Sequence, residues 1–201
     1  MEKLRRAGRP RSFDPDAALH SALLVFWEHG YEGASMARLQ EATGLTAPQL
    51  YRAFESKERL FERAVRLYQN EYGFAIRSDL PLAEAVDEYF DRAAREFSAE
   101  PGRGCLVSTG LLVTGRDGEA AAAVVRAERE HALAGLRGRI ADAVERGELP
   151  AGVDAEGLAR ALGALIQGMS VQAHDGADYE DLAHIAGAAG ALLAATAGVP
   201  G

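Results

Sequence analysis

Apolar positions recur every three or four residues along nearly the whole chain. Leu19, Ala22, Leu23 and Phe26 fall at i, i+3, i+4 and i+7, one face of a helix. Asp14 precedes it as a good N-cap, Pro15 suits the first helical position, and Gly30 is expected to stop it. Ser35 is expected to cap a short second helix that ends at Gly44. A third begins at Thr46, whose T-x-x-Q spacing to Gln49 predicts a capping box with Pro48 in the first turn. In that helix Leu50 and Phe54 face inward. Ser56 then caps a longer helix carrying Leu60, Phe61, Ala64, Val65, Tyr68 and Tyr72. Further on, Pro81 opens a helix with Ala85, Tyr89, Ala93 and Phe97 on one face. After the break at 101–104 a short helix is predicted over 106–113. A long charge-laced helix follows over 119–148, and two final ones over 155–174 and 179–196. No two-residue alternation longer than about four residues stands out. The chain therefore reads as all-α, which its 40 alanines against 4 isoleucines support.

Two short helices joined by a turn at Gly44 have the spacing of a helix-turn-helix. The expected organisation is an N-terminal three-helix unit over 1–60 and a larger helical unit over 61–201. Charge is also uneven along the chain. Residues 1–75 carry 11 basic and 10 acidic groups, whereas 76–201 carry 11 and 20, within an overall net charge of −8. A basic head on an acidic body suggests a polyanion partner at one end only. The lone Cys105 excludes an internal disulfide framework and a multi-cysteine zinc site. The five histidines form no tight ligand pair, so neither metal nor cofactor is expected.

The stretch Gly30-Tyr31-Glu32-Gly33-Ala34-Ser35-Met36 carries a more specific signal. So do Glu41-Ala42-Thr43-Gly44-Leu45-Thr46-Ala47-Pro48-Gln49-Leu50-Tyr51-Arg52-Ala53-Phe54 and Ser56-Lys57-Glu58-Arg59-Leu60-Phe61. Across about fifty consecutive residues these resemble the TetR family of bacterial transcriptional regulators. Gln40, Thr43 and Ala53 depart from the residues usual in that family. The resemblance implies a ligand-responsive, homodimeric DNA-binding regulator, a repressor released from a near-palindromic operator by a small-molecule effector. It implies no catalytic activity, and there is no Gly-x-Ser-x-Gly, phosphate loop or His-Glu-x-x-His.

On that reading Ser35, Thr46, Ala47, Gln49, Tyr51, Arg52 and Lys57 are the DNA-contacting candidates. Arg52 suits guanine and Tyr51 a phosphate, and Gln49 either completes the cap or reads adenine. The N–H groups opening the third helix suit a phosphate. Lys57 sits at a helix start, where a cation opposes the helix dipole, and a phosphate contact would account for it. Arg9 and Arg11 have the composition of a minor-groove arm or of a merely basic tail.

The resemblance makes Tyr89, Phe90, Phe97 and Cys105 a ligand-pocket wall, although the aromatics also read simply as core. Cys105 is either a small buried hydrophobe or a thiol sensor of oxidants or electrophiles. Glu128, Arg129 and Glu130 read as a solvated helix face.

The last two helices are dense in small residues and carry Leu162, Leu165, Met169, Ile185, Ala189 and Leu192 on apolar faces. With little chain left to cover them, these faces are expected to pair with a second copy as a four-helix interface. The uncharged stretch 182–201 is too rich in Ala and Gly to be read as a membrane anchor. The apolar run 23–27 is too short for a leader. The expected location is the cytoplasm.

Overall fold

The computed structural model describes residues 13–100, 102–112 and 118–198, and all its regular elements are helices. In chain order these are α1 (Pro15–Gly33), α2 (Met36–Thr43), α3 (Ala47–Phe54), α4 (Lys57–Tyr72), α5 (Leu82–Ser98), α6 (Leu106–Thr109), α7 (Glu119–Glu145), α8 (Ala155–His174) and α9 (Tyr179–Ala197). The caps predicted from local chemistry are present. Asp14 accepts from the Asp16 N–H at 2.9 Å and Ser56 from the Arg59 N–H at 3.1 Å. Gly30 breaks α1 at φ 65° and ψ 175°, after which the chain makes one more turn.

Two helices end earlier than expected. The predicted 106–113 helix is only α6, with Gly110 as its C-cap donating an N–H to the Leu106 carbonyl. The predicted 119–148 helix stops at Glu145, where Gly147 takes φ 74° and the Glu148 and Leu149 amides turn back to the Ala143 carbonyl.

The apolar side chains gather into two clusters. The head cluster joins α1–α4, α6 and the start of α7. Its centre is aromatic: Phe26 and Tyr31 of α1 meet Phe61 of α4 edge-on, at 5.0 and 5.1 Å between ring centroids, and Trp27 meets Tyr68 and Tyr72 at 4.8 Å each. Edge-to-face pairs add about 0.5–1.5 kcal/mol each to the area they bury. Position 60/61 falls inside α4, whose buried residues on both sides of it belong to this cluster.

The body cluster is built around α5. Leu82, Val86, Phe90, Ala93, Ala94 and Phe97 are all buried there against α7, α8 and α9. Helix α7 serves both clusters, with Ala121 and Val125 in the head and Leu136, Ile140 and Ala143 in the body.

One charged side chain is sealed into the body. Arg139 donates to the Arg77 carbonyl at 3.2 Å and the Leu80 carbonyl at 2.6 Å, tying the α4–α5 connection to α7. Its carboxylate partner, Glu148, also accepts from the Leu82 N–H. That backbone donor, before the Arg139 charge, holds the Glu148 carboxyl below its ordinary pKa.

Candidate nucleic-acid interface and ligand cavity

Helices α2 and α3 are set against each other by polar contacts at their junction. Gly44 takes the left-handed conformation, φ 67°, that the turn needs. Thr43 donates its hydroxyl to the Leu39 carbonyl at 2.6 Å and accepts from the Leu45 N–H at 3.3 Å. Gln40 anchors its amide on the Met36 carbonyl and accepts from the Ala47 N–H at 3.0 Å. Two of the departures from the usual family residues thus brace the turn.

The capping box forms, with Gln49 Oε1 accepting from both the N–H and the hydroxyl of Thr46 at 2.9 Å each. Gln49 is therefore engaged by the cap. The expectation of free N–H groups opening α3 is corrected. Gln40 takes the Ala47 N–H, Pro48 has none, and the Gln49 N–H goes to the Thr46 carbonyl.

Leu50 and Phe54 are buried, which turns Tyr51, half exposed, and Arg52 outward. Ser35 and Thr46 are exposed beside them and Ala47 is half-buried. The α3–α4 turn passes through Glu55, at φ 71° the one non-glycine residue with positive φ among the described residues.

Lys57, at the start of α4, is half-buried with Nζ 4.4 Å above the Tyr31 ring, whose hydroxyl donates to Glu58 at 2.9 Å. Burial pulls the Lys57 pKa below its ordinary value, against the opposing pull of Glu32 and Glu58. A cation–π contact is thus a second reason for a lysine at this helix start. Arg9 and Arg11 lie outside the described residues.

A cavity of about 310 Å³ lies below this head, between α4, α5, α7 and α8. Of the four expected wall residues, Tyr89, Phe97 and Cys105 line it. Phe90 does not; it is fully buried in the body core. Sequence reasoning missed Tyr68, Tyr72 and Arg129 in the same wall. The two tyrosines carried only the signal of an apolar helix face. Arg129 is not a solvated side chain, because it is half-buried and donates to the Val107 carbonyl at 2.7 Å. Burial raises the pKa of the Tyr89 hydroxyl to about 12 and that of Tyr68, beside the Cys105 thiol, further still. Both phenols are uncharged at neutral pH.

The cavity and the head share one segment of chain. Residues 104–110 contribute Cys105, Val107 and Ser108 to the cavity wall. On the other side the Trp27 indole N–H donates to the Gly104 carbonyl at 2.9 Å, and the Tyr31 N–H donates to the Gly110 carbonyl at 2.8 Å. From α8, Ser170 Oγ accepts the Cys105 N–H at 2.8 Å. Gly104 has φ 59°, and a Cβ there would collide with the Ser170 carbonyl, so the position requires glycine.

The expected pairing face on the last two helices divides in the structure. Leu162, Met169 and Ala189 are fully buried within the subunit and so cannot meet a partner. Leu165, Ile185 and Leu192 are half-buried. The physical reason is α5, which covers the α8 and α9 faces that seemed to lack a cover. Ala188 and Ala191 of α9 are exposed, and Val171 of α8 is 42% exposed.

Residues 18–64 match the family described as "Bacterial regulatory proteins, tetR family". The chain is 36% identical over 186 residues to the HTH-type transcriptional repressor ComR of Escherichia coli (strain K12), covering 90% of this chain and 89% of ComR. The chain belongs to the TetR family. It is also 35% identical over 112 residues to the repressor BdcR of the same organism, covering 53% of this chain and 57% of BdcR. Its fold matches a cysteine-substituted form of the TetR family regulator CifR, solved in complex with a 26-base-pair double-strand operator. The TM-score is 0.86 at 37% identity, over 92% of this chain and 98% of CifR. This TetR-family chain is a DNA-binding transcriptional regulator and not an enzyme. Among the described residues no helix is long and apolar enough to cross a membrane.

Proposed function

We propose that this TetR-family regulator is a repressor, bound as a homodimer to a near-palindromic operator and released by a small molecule entering the cavity beside α6. The observation that carries this reading is the shared segment 104–110, one side of which lines the cavity while the other is hydrogen-bonded to α1. A ligand acts only through its differential affinity for two states. An occupant that favours a displaced 104–110 segment therefore also favours a displaced α1, and with α1 the α2–α3 pair packed on it. Two heads must meet half-sites about 34–36 Å apart, so a small rotation of each costs affinity. The operator duplex bound by CifR, 26 base pairs long, has room for two such half-sites.

In this reading α3 enters the major groove. Arg52 reads a base edge and Tyr51 a phosphate. Ser35, Thr46 and Ala47 line the approach, Lys57 gives charge beside the groove, and Arg9 and Arg11 precede the head as a basic arm. Gln49 holds the cap in the free protein and reads a base only by leaving it. The dimer forms through the outer faces of α8 and α9, around Leu165, Ile185 and Leu192. The head is the unit built on residues 1–60 together with the rest of α4, and the remainder of the chain is the effector and dimer unit.

A second reading, a regulator triggered by oxidant or electrophile at Cys105, is favoured by the thiol lining the cavity beside the Tyr68 hydroxyl.

Three outcomes test these readings. Arg52→Ala should lose about 1–3 kcal/mol against one base pair and relax preference there. Lys57→Met, which keeps an alkyl chain over the Tyr31 ring, should weaken all sequences alike and lower the salt slope by about one. A salt titration of operator binding by fluorescence anisotropy checks both, and parent-like behaviour of both variants contradicts the assigned head. For the dimer, Ile185→Arg should give helical monomers in light scattering that bind operator weakly, since a partnerless charge in an interface costs roughly several kcal/mol. A persisting dimer moves the interface off this face. For the signal, Cys105→Ser should retain release by a reversible ligand. If peroxide or N-ethylmaleimide releases the parent from operator and leaves the serine variant bound, the second reading replaces the first.

A further inference from the structure

Among the charged side chains that line the cavity, Arg129 stands apart. Arg126 reaches Glu119 at 3.1 Å and Arg160 reaches Glu156 at 2.6 Å, so two of the three arginines have carboxylate partners. Glu128 accepts from the Gln69 side-chain amide at 3.0 Å, and Glu130 is exposed. Arg129 has no carboxylate within ion-pair distance among the described residues. Its hydrogen bond is the one to the Val107 carbonyl. A guanidinium carries five N–H donors in a planar fork, so most of its donor capacity is unused in a half-buried position. Burial, the largest influence on it, works against its charge. With the other two arginines paired, Arg129 is the one cation of the lining with no ion-pair partner among the described residues. That is against the trend of the region, since residues 76–201 hold 20 acidic groups to 11 basic.

The rest of the wall is largely apolar, with Tyr72, Phe74, Tyr89, Phe97, Leu133 and Ile166. Tyr89 and Tyr68 are uncharged phenols and do not repel an anion. The volume is at the small end of ligand cavities.

We propose that the cavity takes a compact molecule with an apolar body and a single oxyanion, a small aryl or branched aliphatic carboxylate, whose charged end is held by Arg129. This rests on reading the cavity as the effector site. The apolar body fills the aromatic half of the cavity. The carboxylate accepts from the N–H groups that Arg129 does not use on Val107, the fork geometry that arginine serves best. The ligand charge also gives Arg129 the anionic partner it lacks among the described residues. Because Arg129 already holds the α6 backbone at Val107, the same side chain touches both ligand and segment 104–110.

The experiment is calorimetric titration of the full chain with benzoate, phenylacetate and 2-naphthoate, each beside its primary amide, and with inorganic phosphate. At least one acid should bind tenfold or more tightly than its amide, the scale of a hydrogen bond to a charged group. Arg129→Gln should remove that difference and Arg129→Lys should restore part of it, with circular dichroism melting to confirm that both variants fold. Phosphate, an oxyanion without an apolar body, should not bind. The proposal is overturned if no acid binds, if amides bind as well as acids, or if Arg129→Gln holds the acid as tightly as the parent. Phosphate binding as tightly as the acids overturns it too. Each acid that binds is then added to the operator complex. Arg129-dependent binding without operator release leaves the ligand class standing and defeats the effector reading.

Discussion

Between Gly104 and Gly110 the chain gives two backbone carbonyls to α1, one to the Trp27 indole and one to the Tyr31 amide. Both bonds lie where Trp27 and Tyr31 are themselves buried, so water cannot readily replace them. A buried donor left without its acceptor costs about 1–3 kcal/mol. That penalty ties the 104–110 segment to α1. The same segment is held from below by Ser170 and from the side by Arg129. Three helices, α1, α7 and α8, thus grip this short segment, and the grip comes through its backbone.

The rest of the architecture serves that junction. The aromatic stack of Phe26, Tyr31 and Phe61 makes α1 and α4 one unit, so a displacement of α1 carries α4 with it. Helix α4 then gives Tyr68 and Tyr72 to the cavity wall, which closes a loop from head to cavity and back. The α2–α3 pair is rigid for different reasons. Gln40, Thr43 and Gln49 satisfy the polar groups of its turn internally. A head braced in this way holds α2 and α3 in a fixed relation to each other, and α2 packs on α1.

Much of this was legible beforehand because it is local. An N-cap, a proline in a first turn and a left-handed glycine act over a few residues, and so α1–α4 and the reading turn follow from Asp14, Pro15, Gly44, Thr46 and Ser56. What escaped depends on distant chain. Nothing near Arg129 tells of the Val107 carbonyl, twenty-two residues away, that turns a charged helix face into a cavity wall. Apolar periodicity marked the α8 and α9 faces correctly but not their cover, since α5 had already been assigned a single face of its own. Leu162, Met169 and Ala189 were thereby read as facing a partner when they face Phe90 and its neighbours in the body core. Gln40 is the reverse case: a departure from a familiar pattern whose structural use appears only when α3 is docked beside it.

The central claim is that the 104–110 segment transmits between body and head, and a double-mutant cycle tests it without any effector. Ser170 is buried on α8 and bonded to the Cys105 amide, while Trp27 holds the same segment from α1. Operator affinity is measured for the parent, Ser170→Ala, Trp27→Phe and the double variant. The account predicts that Ser170→Ala changes operator affinity in the parent and that most of this change disappears in the Trp27→Phe background, a coupling of about 0.5–3 kcal/mol. An effect of Ser170→Ala that is the same in both backgrounds, or absent from both, contradicts it.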